Sequence, residues 1–191
     1  MADSQDPLHE RTRRLLSDYI FFCAREPDTP EPPPTSVEAA LLRSVTRQIQ
    51  QEHQEFFSSF CESRGNRLEL VKQMADKLLS KDQDFSWSQL VMLLAFAGTL
   101  MNQGPYMAVK QKRDLGNRVI VTRDCCLIVN FLYNLLMGRR HRARLEALGG
   151  WDGFCRFFKN PLPLGFWRRL LIQAFLSGFF ATAIFFIWKR L

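Results

Sequence analysis

Catalytic signatures are missing from these 191 residues. No glycine-rich phosphate loop, no G-x-S-x-G nucleophile turn and no H-E-x-x-H metal motif occurs, which argues against an enzyme. The three histidines, His9, His53 and His141, fall in separate segments without a partner at metal-ligand spacing, so neither a metal nor another cofactor is expected. The five cysteines, Cys23, Cys61, Cys125, Cys126 and Cys155, are odd in number and lack C-x-x-C spacing; they read as reduced thiols facing the cytosol. No run alternates in the manner of a strand, which leaves helix as the building element. No N-terminal leader is expected either, because the first fifteen residues hold Asp3, Asp6, Glu10, His9 and three arginines with no continuous apolar stretch.

What is present is apolar surface and positive charge. Hydrophobic residues make up 47% of the chain and phenylalanine supplies 17 positions, a composition that suits one packed globule rather than a disordered tail. The formal charge of +7 can serve nucleic acid, anionic lipid or plain solubility.

The helices can be read in order. Asp6-Pro7 is an N-cap followed by proline at the first helical position, and Leu8, Thr12, Leu15, Leu16, Tyr19, Ile20 and Cys23 continue an amphipathic helix to about Glu26. Five prolines between Pro27 and Pro34 then make an extended linker. Thr35 with Glu38 forms a capping-box pattern that opens a long helix to about Phe60, with Leu41, Leu42, Val45, Ile49, Phe56 and Phe60 along one side. Asn66 with Glu69 starts the next, which carries Leu68, Val71, Met74, Ala75, Leu78 and Leu79. Asp84 can cap the helix that holds the unbroken apolar run Leu90 to Met101, ended by Gly104 and Pro105. Twelve residues are too few to cross a bilayer, so this helix is expected at the centre of a bundle.

Tyr106 to Arg118 reads as a basic loop, and Val119 to Met137 as a second helix rich in apolar residues. "RRHRAR", Arg139 to Arg144, opens a short basic helix; without interleaved stacking aromatics it reads as solvated surface before lipid-facing surface, and no nucleic-acid partner is expected. Another short helix covers Trp151 to Phe158. Leu170 to Trp188 is the exception to a soluble composition: nineteen residues interrupted only by Gln173, Ser177 and Thr182. A helix of that length spans roughly 28 Å, close to the ~30 Å hydrocarbon core. Arg168, Arg169, Lys189 and Arg190 flank it and Trp167 and Trp188 sit at interfacial positions, so it is expected to be a C-terminal anchor in a lipid bilayer. The expected division is a helical domain over residues 1–165, with the 27–34 linker inside it, and an anchor over 166–191.

Three stretches carry a resemblance. "GGWDGFCRFF", beginning Gly149, Gly150, Trp151 and Asp152, resembles the second homology motif of the Bcl-2 family of apoptosis regulators. "SWSQLVMLLAFAGTL", from Ser86, is similar to the first motif, an N-W-G-R stretch leading into an apolar helix, and "RRLLSDYIFF" is similar to the fourth. The resemblance implies an all-α, Bcl-2-like bundle with central apolar helices at Asp84–Met101 and Val119–Met137. It also implies a hydrophobic surface groove that accepts the amphipathic death-motif helix of a pro-apoptotic relative. Carried onto this chain, the groove falls at Val71, Met74, Leu78, Ser86, Trp87, Ser88, Gln89, Val91 and Phe96.

In the family the arginine of N-W-G-R pairs with an aspartate of the ligand. Here Trp87 is kept, while Ser86 stands for asparagine, Ser88 for glycine and Gln89 for arginine, so restoring arginine at 89 is expected to strengthen binding. The chain's own death motif has Leu42, Val45 and Ile49 at anchor positions, with Thr46 in place of glycine and Arg47 in place of aspartate. The residues themselves allow ordinary core packing at these three positions. A receptor is therefore favoured over a ligand, and a pro-survival regulator tail-anchored in the mitochondrial outer membrane or endoplasmic reticulum over a membrane-permeabilising effector.

Overall fold

The computed structural model describes residues 6–26, 29–61, 66–79, 85–102 and 115–159, and the described residues form eight α-helices and no strand. They are α1 (Pro7–Cys23), α2 (Val37–Glu52), α3 (Gln54–Cys61), α4 (Arg67–Leu78), α5 (Trp87–Met101), α6 (Leu115–Met137), α7 (Arg139–Ala147) and α8 (Gly150–Lys159). The all-α expectation holds. Asp84, the stretch 106–114, the side chain of Phe60 and the expected anchor Leu170–Trp188 lie outside the described residues.

α5 is the axle of the bundle. Every one of its residues except Thr99 is buried, and α1, α2, α3, α4 and α6 all pack on it. A fully buried Leu or Phe contributes about 1.5–3 kcal/mol through its removal from water, so this helix is held by its surroundings on all sides. Thr99 satisfies its own hydroxyl by donating to the Ala95 carbonyl (2.9 Å). It also accepts from the Gln50 amide (3.1 Å), which ties α2 to α5.

Gly98 marks the closest approach of α1. A Cβ built there would lie 2.3 Å from the Tyr19 hydroxyl and 2.9 Å from Cys23 Sγ, so the α1–α5 contact requires a residue without a side chain.

Helix ends follow local chemistry, with five departures from expectation. Asp6 and Asn66 cap α1 and α4 by accepting from the Leu8 and Leu68 amides, each at 3.0 Å. α1 ends at Cys23, one turn before Glu26. At α2 the cap is Ser36 rather than Thr35: its hydroxyl reaches the Ala39 amide at 3.1 Å. The long second helix is two helices, broken at His53, where φ is −119° and ψ 28°. The bend lets α3 follow α5 instead of running on past it, and places the Phe57 ring 6.1 Å from that of Phe96. α5 is capped by Ser86 and not by Asp84.

The fifth departure concerns α6. It begins at Leu115, inside the stretch read as loop, because Gly116 and Asn117 occupy first-turn positions where weak helix propensity matters least. It is also not enclosed in the manner of α5. Val121, Cys125, Ile128, Val129, Leu132 and Leu136 are buried, while Ile120, Arg123, Leu127, Asn130 and Asn134 are exposed. One face packs on α1 and α4 and the other meets solvent, so α5 is the single central helix among those described.

Candidate functional site

α4 packs on α5 along a seam, and the apolar groove positions on these two helices share one core. Val71, Met74 and Leu78 recur at three- and four-residue spacing and lie on one face of α4. They join Val91 and Phe96 of α5 in the continuous apolar core. Arg67 ties α4 to α6 through Asp124 at 2.9 Å. The seam is closed: Val71, Met74, Leu78, Trp87, Ser88, Gln89, Val91 and Phe96 are all between 0% and 6% exposed, and only Ser86 is half-buried. Among the described residues, no open apolar groove of the expected kind lies at these positions. Burying these side chains against one another removes apolar surface from water.

Gln89 has a structural role that its sequence position did not disclose. Its side-chain carbonyl accepts from the Ser86 backbone N–H (2.9 Å) and hydroxyl (3.2 Å), and Ser86 Oγ accepts in return from the Gln89 amide (3.4 Å). This reciprocal capping box satisfies donors that a helix start otherwise leaves orphaned. The Gln89 oxygen is thus committed to the helix start.

Trp87 belongs to an aromatic cluster with the second homology motif. Its ring centroid lies 6.1 Å from that of Trp151 and 5.5 Å from that of Phe154, with edge-to-face geometry in the second case. The buried Trp151 indole N–H donates to Thr12 Oγ1 at 2.8 Å. Asp152 accepts a two-pronged contact from Arg11 (3.0 and 3.2 Å), and Arg11 also pairs with Glu38. The Asp152 hydrogen bonds hold the Arg11 guanidinium well above its ordinary pKa, with Glu38 adding to them. Arg11 in turn holds the Asp152 carboxyl below its usual range.

The two leading glycines make the turn, Gly149 at φ +83° and Gly150 at +57°, a region that disfavours side chains. Gly153 then packs its Cα face on the Leu148 carbonyl, where a Cβ would come within 1.8 Å of the oxygen. Gly149, Gly150, Trp151 and Asp152 therefore clamp α8 onto α1, α2 and α5.

The chain's own death motif faces inward. Leu42 and Ile49 lie in the core, Val45 is half-buried, and buried Thr46 donates its hydroxyl to the Leu42 carbonyl (2.7 Å). Arg47 is exposed and pairs with Glu31 of the proline-rich segment at 2.9 Å. Offering this motif to another protein requires α2 to leave the bundle.

Arg43 and the cavity beside it were not foreseen. Arg43 is buried between Asp18 and the Pro32 carbonyl (2.7 Å), with its guanidinium 4.1 Å from the Phe22 ring centroid. It borders a cavity of about 540 Å³ lined by Phe22, Pro32, Pro33, Pro34, Arg43 and Arg47, among others. An arginine directly after Leu42 on an otherwise apolar stripe was the available signal. Among the described residues no three His, Cys, Asp or Glu side chains are grouped as a metal site.

Comparison with known proteins agrees with this architecture. A match to the family described as apoptosis regulator proteins, Bcl-2 family, covers residues 42–151. The chain is 72% identical over 186 residues to Bcl-2-like protein 10 of Rattus norvegicus, covering 97% of this chain and 99% of that one. It is 30% identical to the anti-apoptotic protein NR13 of Coturnix japonica, over 79% of this chain and 77% of the relative. Its fold resembles the crystal structure of the zebra-fish pro-survival protein NRZ in complex with the Bad BH3 segment, with a TM-score of 0.60 and 23% identity over 79% of this chain and 94% of that one. The chain belongs to the Bcl-2 family of apoptosis regulators.

Proposed function

We propose that the chain is a pro-survival regulator that sequesters the amphipathic death-motif helix of a pro-apoptotic relative along the α4–α5 seam. It acts by binding and not by catalysis. The observation that carries this reading is the seam itself: a file of apolar side chains on α4 facing α5, of the kind helix-in-groove recognition uses for anchors at helical spacing. The anti-apoptotic description of NR13 and the pro-survival description of NRZ, which was crystallised with the Bad segment, support the same direction. Residues 170–188 tether the protein to the mitochondrial outer membrane or endoplasmic reticulum, on the strength of their apolar length and basic, aromatic flanks.

Because the seam is closed, binding draws on a minor open form. The apparent affinity is reduced by the fraction of molecules that are open. The inward-facing motif on α2 makes the chain a receptor in this pairing and a poor ligand.

A second reading, membrane permeabilisation, is favoured by one observation: the window Ile120–Met137 of α6 is long and apolar enough to cross a bilayer. Two measurements on the full chain separate these readings. Fluorescence anisotropy of a labelled Bad death-motif peptide is expected to show saturable binding, and dye-loaded vesicles are expected to stay intact when the protein is added alone. Vesicle leakage without peptide binding overturns the sequestering reading.

A further inference from the structure

The basic helix α7 has a use beyond peptide binding. Leu145 is buried and anchors the helix to the bundle, and the half-exposed Arg142 reaches across to α1. There it contacts Asp6, His9 Nε2 (2.9 Å) and Glu146 (2.9 Å). These contacts tie α7 to α1 and occupy the carboxylate of Glu146. Arg139, Arg140, Ala143, Arg144 and Ala147 are exposed, a face with three cations and two small apolar side chains beside Glu146, whose carboxylate is paired with Arg142. Three- and four-residue steps, which keep side chains on one side of a helix, link Arg139 to Ala143, Arg140 to Ala143 and Arg144, and both Ala143 and Arg144 to Ala147.

Arg139 and Arg140 occupy the first turn, the positive end of the helix dipole, where acidic residues are favoured, and Gly138 provides no side-chain cap. The cationic surface continues past the α7–α8 turn. Arg156 is exposed, with a guanidinium nitrogen 2.7 Å from where a Cβ on Gly149 would stand, and Lys159 is exposed one turn further on. Leu148, at the turn itself, is 37% exposed. A basic face with an exposed leucine among its charges has the chemistry of a surface that lies on anionic headgroups.

Position along the chain selects the occupant. Ten residues separate Lys159 from Leu170, and eleven steps of extended chain reach at most about 40 Å. A domain tethered by residues 170–188 therefore keeps α8, and α7 packed beside it, within that distance of the bilayer. We propose that the solvent face of α7, with Leu148, Arg156 and Lys159, docks on the anionic phospholipid surface of the membrane that holds the anchor and so sets the orientation of the bundle above it. The inference rests on the anchor reading given above, and its test separates the two. Each arginine near an anionic surface raises partitioning about fivefold, so neutralising three removes a preference on the order of a hundredfold.

Arginine footprinting with phenylglyoxal, read by mass spectrometry, tests this on the full chain without substitution. The protein is incorporated into vesicles of phosphatidylcholine alone or with phosphatidylserine. With the anionic vesicles, modification of Arg139, Arg140 and Arg144 is expected to fall several-fold, while Arg14 of α1 and Arg47 of α2, both substantially exposed, react as before. About 1 M salt, which shortens the screening length to roughly 3 Å, is expected to restore the reaction. The full-length triple variant Arg139→Gln, Arg140→Gln, Arg144→Gln is expected to float with phosphatidylcholine vesicles like the parent and to lose its preference for anionic ones in competition.

Equal reactivity of the three arginines in both vesicle types overturns the proposal. So does stronger protection by RNA or an acidic polypeptide than by anionic vesicles. Failure of the full chain to float with any vesicle contradicts the anchor itself.

Discussion

Arg43 on α2 and Asp18 on α1 form a buried ion pair, with Nε and Nη2 of the arginine 3.0 and 2.8 Å from one carboxylate oxygen. The side chains are 9% and 5% exposed. Removing one partner strands a charge in the interior, so Asp18→Ala is expected to lower unfolding free energy by about 3–5 kcal/mol. The joint replacement Asp18→Leu with Arg43→Met should recover most of the loss, because no charge is then left without its counterpart. Urea denaturation of the two variants against the parent measures both.

Gln89→Arg is expected to weaken the fold without tightening death-motif binding, which reverses what the motif comparison alone implied. Arginine has no acceptor to offer the Ser86 N–H and hydroxyl, and its guanidinium enters a position only 6% exposed. Loss of the box costs about 1 kcal/mol, with the buried charge adding to it. Gln89→Glu retains the acceptor and should melt close to the parent. Thermal melts of both variants, paired with anisotropy using aspartate and alanine forms of the peptide, check this. Tighter binding of the aspartate form alone by Gln89→Arg would restore the pairing role.

Stability should decline on mild acidification, through His141. Burial holds this imidazole below its ordinary pKa and the neighbouring Arg140 adds to the effect, although the hydrogen bond to the Leu135 carbonyl at 3.1 Å opposes them. The unfolded chain therefore takes up the proton first. The contribution is intact above the unfolded value of about 6.5 and is lost as pH falls from there toward the lower folded value. Melting temperatures from about pH 7.5 down to about pH 5.5 should drop for the parent and drop less for His141→Asn.

Among Cys23, Cys125, Cys126 and Cys155, the exposed Cys126 should react first with iodoacetamide in the folded protein. Burial pushes the Cys23 thiol up to about 12 and the Cys125 thiol up to about 11, so both stay protonated and shielded at neutral pH. Time-resolved alkylation followed by peptide mass spectrometry gives the order. Prior labelling of Cys23 would show that α1 opens from α5.

Much of the bundle was legible because its signals are local. Asp6-Pro7 and Asn66 mark helix starts by short-range hydrogen bonding, and a twelve-residue apolar run has few destinations except the centre of a bundle. The misplaced starts arose where two competent caps stand close together. Thr35 and Ser36 both suit an N-cap, and packing of the following helix selected the serine. The break at His53 answers to the course of α5, many residues away, and no proline or glycine announces it.

The candidate site was legible as a set of positions but not as a state. Periodicity places Val71, Met74 and Leu78 on one face, yet whether that face is open depends on what α5 presents to it. Arg43 and Asp18 are 25 residues apart, and their pairing is a product of the α1–α2 crossing that neither residue's neighbours encode.

Isothermal calorimetry of the full chain with the Bad death-motif peptide, repeated across temperature, bears most directly on the claim that the α4–α5 seam opens to receive a helix. The account predicts saturable one-to-one binding with a negative heat-capacity change, because apolar side chains leave water when the ligand is seated. It also predicts little change in affinity when salt is raised, and loss of binding to a peptide whose apolar anchors are replaced by alanine. Binding that disappears in moderate salt, or that is equally strong for the alanine peptide, would place recognition on surface charge and contradict the account.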